Sequence, residues 1–304
     1  LQAKVAIILL TINQKNKTLE CLRSLSKINY HNKEILVFDN GSTDKTIEAI
    51  NEEFPGVKTY YSAVNLGVAS GRNKAAEIAL DLINPDYFLF LDNDVTVEKE
   101  FLEKLIIPFA EDDNVAVTTS KIKCNDNSGL IFSAGGCKIN FWLGKTSPRG
   151  SKKRDTEKYN KPIDCISNGG CMMVKKSVFY ELNGFDPIFN PYGPEDLDFS
   201  LRVISKSYRV RYVPEAVIYH EPQPSRSSSG GKITNEYMKQ KSKNWFIFLL
   251  RHASLPQKIF FLLFFAPLKF SWFCLVEMLK GNLKLPISVL QGFLKFNRTK
   301  FSNK

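Results

Sequence analysis

A chain of 304 residues, 43% hydrophobic and 24% charged, is long enough to bury a full core and has an ordinary globular balance. Its net charge of +11 is unevenly placed: residues 145–161 carry seven Lys/Arg against two acids, and residues 277–304 carry six against one. Blocks of that kind are either solvated or favour polyanions and anionic lipid. The six cysteines, Cys21, Cys124, Cys137, Cys165, Cys171 and Cys274, form no C-x-x-C pair and have no histidines at zinc spacing. They are expected to be reduced, mostly buried thiols of a cytosolic protein. The chain opens on a strand with no charged n-region and cleavage site, so no secretion signal is expected, and the N-x-S/T triplets at Asn16, Asn40 and Asn297 carry little weight as glycan sites.

From residue 4 to 122 the pattern alternates. Apolar runs at Val5–Leu10, Ile35–Phe38, Val57–Tyr61, Tyr87–Leu91 and Val115–Thr119 are separated by segments of helical spacing, which predicts strand-helix-strand units in a parallel sheet. Leu19, Leu22, Leu25 and Ile28 mark the buried face of a first helix, Ile47 and Ile50 that of a second, and Ala69, Ala75, Ala76, Ile78, Ala79 and Leu82 that of a third. Residues 123–165 are rich in Gly, Ser, Asn and Lys and read as a long excursion with short strands around Leu130–Phe132 and Lys138–Phe141. Order returns with a strand at Cys171–Val174, helices at Lys176–Leu182 and Leu197–Ser205, and strands at Val210–Val213 and Val217–Tyr219. The segment EPQPSRSSSGGK (221–232) reads as a polar linker or lid. Tyr237–Arg251 has helical spacing, and the 18-residue apolar stretch Ile259–Val276 follows. Pro267 and Lys269 in its middle argue against a simple membrane crossing. An interfacial helix or hairpin fits better, anchored by Trp245 and Trp272 with the basic tail on anionic lipid. A buried helix pair or dimer element remains the alternative.

Chemistry concentrates where strands end. The run Asp86-Tyr-Phe-Leu-Phe-Leu-Asp92-Asn93-Asp94 delivers two carboxylates into a turn, where they repel unless a cation lies between them. An EF-hand loop is set aside because Val97 stands where that loop needs Gly. Asp39-Asn40-Gly41-Ser42 places an acid at another strand end, able to accept hydrogen bonds from a nucleobase or ribose. Asn65-Leu66-Gly67 and then Arg72 stand at a helix start, where phosphate oxygens are welcome. Neither G-x-G-x-x-G nor a Walker lysine motif occurs. Glu195, Asp196 and Asp198 crowd a helix start, and a carboxylate there could take a proton from an acceptor hydroxyl. His220 ends a strand, and its neutral imidazole could complete a metal shell begun by Asp94.

In this order, the segments LLTIN, FDNGSTD, NLGVASGRN, LDND and GPEDLDFSLR resemble the inverting family 2 glycosyltransferases of GT-A fold, most closely the bacterial rhamnosyltransferase-like, cell-surface polysaccharide branch. The resemblance spans about Val5 to His220, with Asn168–Met172 and Leu182–Asp186 matching segments that frame the acceptor side. It implies an α/β, Rossmann-like, mostly parallel sheet flanked by helices, followed by a C-terminal apolar helical extension. The implied organisation is a catalytic domain over 1–222 (nucleotide-sugar half about 1–122, acceptor half about 123–222), a linker over 223–236 and a helical, membrane-associating or packing extension over 237–304.

The resemblance further implies that Thr11 and Asp39 hold the nucleobase, with Asn13, Asn40, Asn65 and Gly67 on the same nucleotide side and Arg72 at the base or phosphate region. Asp92 would lie near the ribose, Asp94 and His220 would hold Mg²⁺ or Mn²⁺, and Asp196 would be the general base, with Glu195 the alternative. An Asn stands between the two acids where some relatives carry a third Asp. The implied partners are a nucleotide-diphosphate sugar of UDP, dTDP or GDP type, a glycan or lipid-linked acceptor, and the inner face of the cell membrane, met peripherally from the cytoplasm; nucleic acid is not expected. Two rivals stay open at this point. One is a sugar nucleotidyltransferase, although Thr11–Lys15 lacks the Gly-rich loop usual there; the other is a non-enzymatic basic protein of membrane surfaces or nucleic acid.

Overall fold

The computed structural model describes residues 2–126, 128–167, 169–221, 234–279 and 284–301. Its elements run β1 (Val5–Thr11), α1 (Lys15–Leu25), β2 (Lys33–Asp39), α2 (Thr46–Glu53), β3 (Lys58–Tyr61), α3 (Val68–Ile83), β4 (Tyr87–Asp92), β5 (Val95–Val97), α4 (Phe101–Glu111) and β6 (Val115–Cys124). There follow β7 (Ile131–Ala134), β8 (Cys137–Asn140), β9 (Lys145–Pro148), β10 (Ile163–Asp164), β11 (Cys171–Lys175), α5 (Lys176–Glu181), α6 (Glu195–Ser205) and β12 (Arg209–His220). The chain divides into two compact units: Leu1–Lys138, Ser147–Pro187 and Glu195–Pro222 form the first, and Ile139–Thr146, Ile188–Pro194 and Gln223–Lys304 the second.

The first unit is built on a sheet of order β10-β12-β6-β11-β4-β1-β2-β3, with β5 paired to β12 and β7 to β6. β3, β2, β1 and β4 are mutually parallel, as the alternating pattern predicts, and β11 enters antiparallel between β4 and β6. Alternate residues of β1 go to opposite cores: Val5, Ile7 and Leu9 pack with α1, α2 and α4, and Ala6 and Ile8 with α3, α5 and α6. Two helical-face expectations need refinement. Ala69, Ala75, Ala76 and Ala79 are buried, but Leu82 is 59% exposed, one position off the stripe. The two strands expected near 210 and 217 are one strand, β12, whose register against β6 shifts between Val213 and Val217, at Pro214, so that a proline which offers no ladder donor marks an irregularity rather than an end.

The basic excursion is tied down. Lys121, nearly buried, holds Asp155 at 3.1 Å, with Lys123 on the same carboxylate. Arg149 donates to the Ala134 carbonyl and lies over the rings of Tyr159 and Tyr212. Part of that charge block is therefore architecture, not a free polyanion surface.

In the second unit α7 (Asn235–His252), α8 (Leu255–Phe260), α9 (Ala266–Leu279) and α10 (Lys284–Phe301) follow one another. The fully buried Asn244 of α7 donates to the carbonyls of Phe189 and Tyr192, fixing the segment that the chain leaves to enter α6. The apolar stretch does not break at Pro267. Leu255–Leu279 is one helical run of 25 residues, with a π-helical turn at Phe261–Phe265 just before the proline. Proline cannot donate to the carbonyl four residues back, and a wider turn at that place absorbs the mismatch. Trp272 is 68% exposed, whereas Trp245 is packed inside the unit, donating to the Gly144 carbonyl and stacking on Phe248. An anchoring role is thus open to Trp272 and not to Trp245. Of the expected linker, 222–233 lies outside the described residues, as does Asn168.

Candidate active site

The parallel order β3-β2-β1-β4 brings three strand ends together. Thr11 stands beside Asp39 and Leu10 beside Asp92 in the ladder, at the carboxyl edge where open α/β sheets collect ligands. β5 then pairs with β12 so that His220 faces Val95, next to Asp94. Sheet register, not sequence proximity, assembles Asp92, Asp94 and His220.

Each of these three offers a donor atom, and the three atoms lie within 4.8 Å of one another. His220 Nδ1 is 2.6 Å from the Glu221 carbonyl oxygen, an acceptor only, so Nδ1 carries a proton; Nε2 lies 3.3 Å from Asp94 Oδ1, donating to that carboxylate when the ring is protonated and offering its lone pair to a cation when it is neutral. The ring is also stacked on Phe132. Burial opposes charge on both partners, but their mutual hydrogen bond and attraction outweigh it. The His220 pKa is accordingly raised and that of Asp94 lowered. Two carboxylates and an imidazole are a donor set suited to a divalent cation such as Mn²⁺ or Mg²⁺.

The nucleotide-side residues divide into two groups. Asp39 Oδ1 accepts from the Gly41 and Ser42 amides at 3.1 and 2.7 Å, closing the turn, and Oδ2 makes no hydrogen bond among the described residues. The residue is itself buried, at 1% exposed, so what distinguishes it from Thr11 is an uncommitted acceptor and not exposure. Thr11 departs from its expected part, because its hydroxyl is 2.9 Å from that of Thr18 and accepts from Asn93 Nδ2 at 3.1 Å, with the residue 2% exposed. A side chain sealed in that cluster is not presented to a base. The same contacts explain why an amide stands between the two acids: Asn93 Nδ2 also donates to the Thr18 hydroxyl, at 2.9 Å, and a carboxylate there would have nothing to donate.

Asn40 likewise works inward. It donates to Asn65 Oδ1 at 2.9 Å and accepts from the Leu66 amide at 2.8 Å, while Asn65 accepts from the Gly67 amide. Asn13, exposed and at φ +50, ties its loop to the next by accepting from the Thr43 amide. Gly71 lets α3 approach, since a Cβ there would lie 2.8 Å from Leu10 Cδ1. These residues shape the loops; Thr11 and Asn40 are buried, whereas Asn65 is exposed and uses only Oδ1 in these contacts.

Arg72 is held by protein partners. Its guanidinium is buried between Asp92 Oδ1, at 2.9 Å, and Glu195 Oε1, at 3.1 Å, over the Phe185 ring. It links the strand carrying Asp92 to the helix carrying the acidic pair. Burial pushes both acids of that pair up. Glu195 goes to about 8, helped by repulsion from Asp196 and opposed by Arg72; Asp196 goes to about 6, opposed by Arg72 and by the Leu197 amide, which donates to it at 2.7 Å. The two are not equivalent. Glu195 is 6% exposed and committed to Arg72, whereas Asp196 keeps a partly open face. A Cβ on Gly169 would lie 3.1 Å from Asp196 Oδ2 and one on Gly170 4.0 Å from Asp92 Oδ2, so two consecutive glycines at φ +30 and +76 keep the space beside both carboxylates clear.

Comparison with known proteins agrees with this geometry. The model of glycosyl transferase family 2 matches residues 6–182, and that described as the N-terminal domain of galactosyltransferase matches residues 151–222. An N-acetylglucosaminyl-diphospho-decaprenol L-rhamnosyltransferase of Mycobacterium tuberculosis is 25% identical over 252 residues, covering 76% of this chain and 80% of that protein. The fold is shared with GalNAc-T7, solved with UDP, GalNAc and Mn²⁺ (TM-score 0.66, 16% identity, 85% of this chain and 50% of that one). It is also shared with the mannosyltransferase PcManGT of Pyrobaculum calidifontis, solved with GDP-Man and Mn²⁺ (TM-score 0.56, 14% identity, 97% and 87%). With more than half its length matched by the family model, and with a mostly parallel GT-A sheet gathering acids at its carboxyl edge, this chain belongs to glycosyl transferase family 2, in its rhamnosyltransferase-like branch, and is a glycosyltransferase.

Proposed function

We propose that the enzyme moves a sugar, with inversion, from a nucleotide-diphosphate sugar of UDP, dTDP or GDP type to a hydroxyl of a glycan or lipid-linked acceptor in cell-surface polysaccharide synthesis. The carrying observation is the convergence of Asp92, Asp94 and His220 donors within 4.8 Å, on the sheet edge that also faces the Glu195–Asp196 pair. In this reading Asp94, His220 and Asp92 hold Mg²⁺ or Mn²⁺, which would supply positive charge opposite a departing diphosphate. Asp39 receives the base or ribose through its spare oxygen. Asp196 takes the proton from the acceptor hydroxyl, for which a carboxyl poised just below neutrality is suited, being ionised yet still basic. Glu195 and Arg72 are positioning groups: Arg72, held by Glu195 on one side and Asp92 on the other, sets α6 against β4. One base and no covalent intermediate give inversion, so an α-linked donor yields a β product and a β-linked donor an α product.

Thermal shifts against UDP, GDP, dTDP and CMP, each with and without Mn²⁺, test this. A matching nucleotide at ~100 times its dissociation constant is expected to add ~2.7 kcal/mol, and to do so strongly only with the metal. No stabilisation by any nucleoside diphosphate in the presence of Mn²⁺ would overturn the donor assignment.

The proposal places the enzyme peripherally at the inner face of the cell membrane. Its support is the run Leu255–Leu279, whose most apolar 18-residue window has a mean hydropathy of 2.1 and is 6% buried, with Leu268, Trp272 and Leu279 exposed by 72, 68 and 81%. The similarity to an enzyme whose name specifies a diphospho-decaprenol substrate points the same way. Full-length protein is expected to pellet with anionic vesicles at low salt and less with neutral ones. Retention in the supernatant with both would make this helix a packing element instead.

A further inference from the structure

The second unit contains a cavity of about 570 Å³ that the reaction above does not use. Trp245 and Phe246 of α7, Phe261 and Phe273 of the long apolar helix, and Phe293 of α10 line it, with Gly144 of the β8–β9 turn. It is a cleft open to solvent, and its size is that of a small-ligand site. Its walls offer almost nothing that could bind water. An apolar occupant is called for.

Charge at its margin narrows the choice. Lys241 and Lys269 are exposed residues that border the cavity, and the ammonium groups of Lys145 and Lys269 each lie 5.8 Å from the centre of one ring, Phe265. Among the described residues neither Lys145 nor Lys269 has an ion-pair partner. Two like charges converging on one aromatic ring beside an apolar hole repel each other unless an anion joins them. A free phosphate would leave the hole unfilled, and a neutral chain would leave the lysines unpaired. One molecule that satisfies both has an apolar chain and an anionic head.

We infer that this cavity holds the apolar chain of a single-chain lipid phosphate, with Lys145 and Lys269 on its phosphate. The inference rests on the lipid-linked acceptor reading for the lipid's role as substrate, but binding itself is read without turnover.

The test uses full-length protein carrying Trp142→Phe and Trp272→Phe, which leaves Trp245 as the remaining indole of three. Dodecyl phosphate below its micelle concentration is expected to shift Trp245 emission saturably, at least ~10-fold more tightly than dodecyl maltoside. Inorganic phosphate at the same concentration is expected to leave the emission unchanged. Lys145→Gln with Lys269→Gln, both at exposed positions, is expected to weaken dodecyl phosphate by about 30-fold while leaving dodecyl maltoside unaltered, since each cation near a lipid anion contributes ~1 kcal/mol. Equal binding of the two detergents, an undiminished affinity in the double variant, or a response to phosphate alone would overturn the inference. A shift that follows protein concentration without lipid would assign the cavity to a second copy of the chain, and overturn it too. Mn²⁺-dependent nucleotide stabilisation measured on the same samples separates these failures from failure of the donor site.

Discussion

Replacing Asp94 with Asn is expected to abolish most of the activity and, more specifically, the ability of Mn²⁺ to tighten nucleotide binding. Asp94 sits 15% exposed at the turn after β4, its Oδ1 facing His220 Nε2. The amide is of nearly the same size, so the turn should be kept, but it supplies an oxygen without the charge that balances a divalent cation against a diphosphate. His220 would also lose the partner that offsets its burial, leaving one weakly held neutral ligand where a paired set had been. Loss of groups that merely orient metal ligands costs 10–100-fold in affinity or activity, so loss of a charged ligand should cost at least ~10²-fold. Calorimetric titration of the matching nucleoside diphosphate, with and without Mn²⁺, reads this directly. Equal metal enhancement in parent and variant would remove Asp94 from the site.

The sequence made the scaffold of this site legible because parallel strands buried on both faces write themselves as continuous apolar runs, and Val5–Leu10, Ile35–Phe38 and Tyr87–Leu91 became β1, β2 and β4. What it could not display was pairing at long range. β5 is three residues, too short for a pattern, yet its ladder with β12 is what sets His220 against Asp94. β11 reads as an ordinary strand, and nothing local says that it runs antiparallel between β4 and β6. Segments 139–146 and 188–194 belong to the unit of the C-terminal helices, a fact that depends on contacts some fifty or more residues away, such as Asn244 with the carbonyl of Phe189. A lone amide in the run NWFIFLL was the available signal, since a polar group within an apolar helix must find buried partners.

Polar side chains at the strand ends are legible as a set, but their individual contacts are not. Thr11, Asn40 and Arg72 are the residue types that contact nucleotides, but the same donors and acceptors are needed to close the loops that surround a nucleotide. In this fold they close them: Thr11 with Thr18 and Asn93, Asn40 with Asn65 and Leu66, Arg72 with Asp92 and Glu195. Composition cannot separate a residue that touches a ligand from one that holds its neighbour in place, because both need hydrogen-bonding capacity at the same turn. Which way a side chain faces depends on partners such as Thr18 and Glu195, which come from other elements.

Asp196→Asn should lower turnover by ~10²–10⁴ while leaving nucleotide affinity nearly intact, the range expected when a positioned proton acceptor is lost. Burial raises the Asp196 carboxyl to about 6, and a base is competent only when ionised, so kcat/KM of the parent should fall as pH drops through about 6, an apparent value that bound metal would draw lower. The variant should lose that acid limb along with its rate. A residue that served only to hold the α6 start would lose rate without losing the limb. Glu195→Gln is the contrasting change: burial holds the Glu195 carboxyl largely protonated near neutrality, and the amide can still accept from Arg72 Nη1, so little loss of stability is expected there, with the acid limb retained. Should Glu195→Gln prove the more damaging at unaltered donor affinity, and should it be the one that erases the limb, the proton is taken by Glu195 and Asp196 becomes the supporting member. The structure favours the first assignment on a simple ground. Proton transfer needs an oxygen that the acceptor hydroxyl can reach, and of the two carboxylates Asp196 is the one with a partly open face beside Gly169, whereas Glu195 is closed in against a guanidinium.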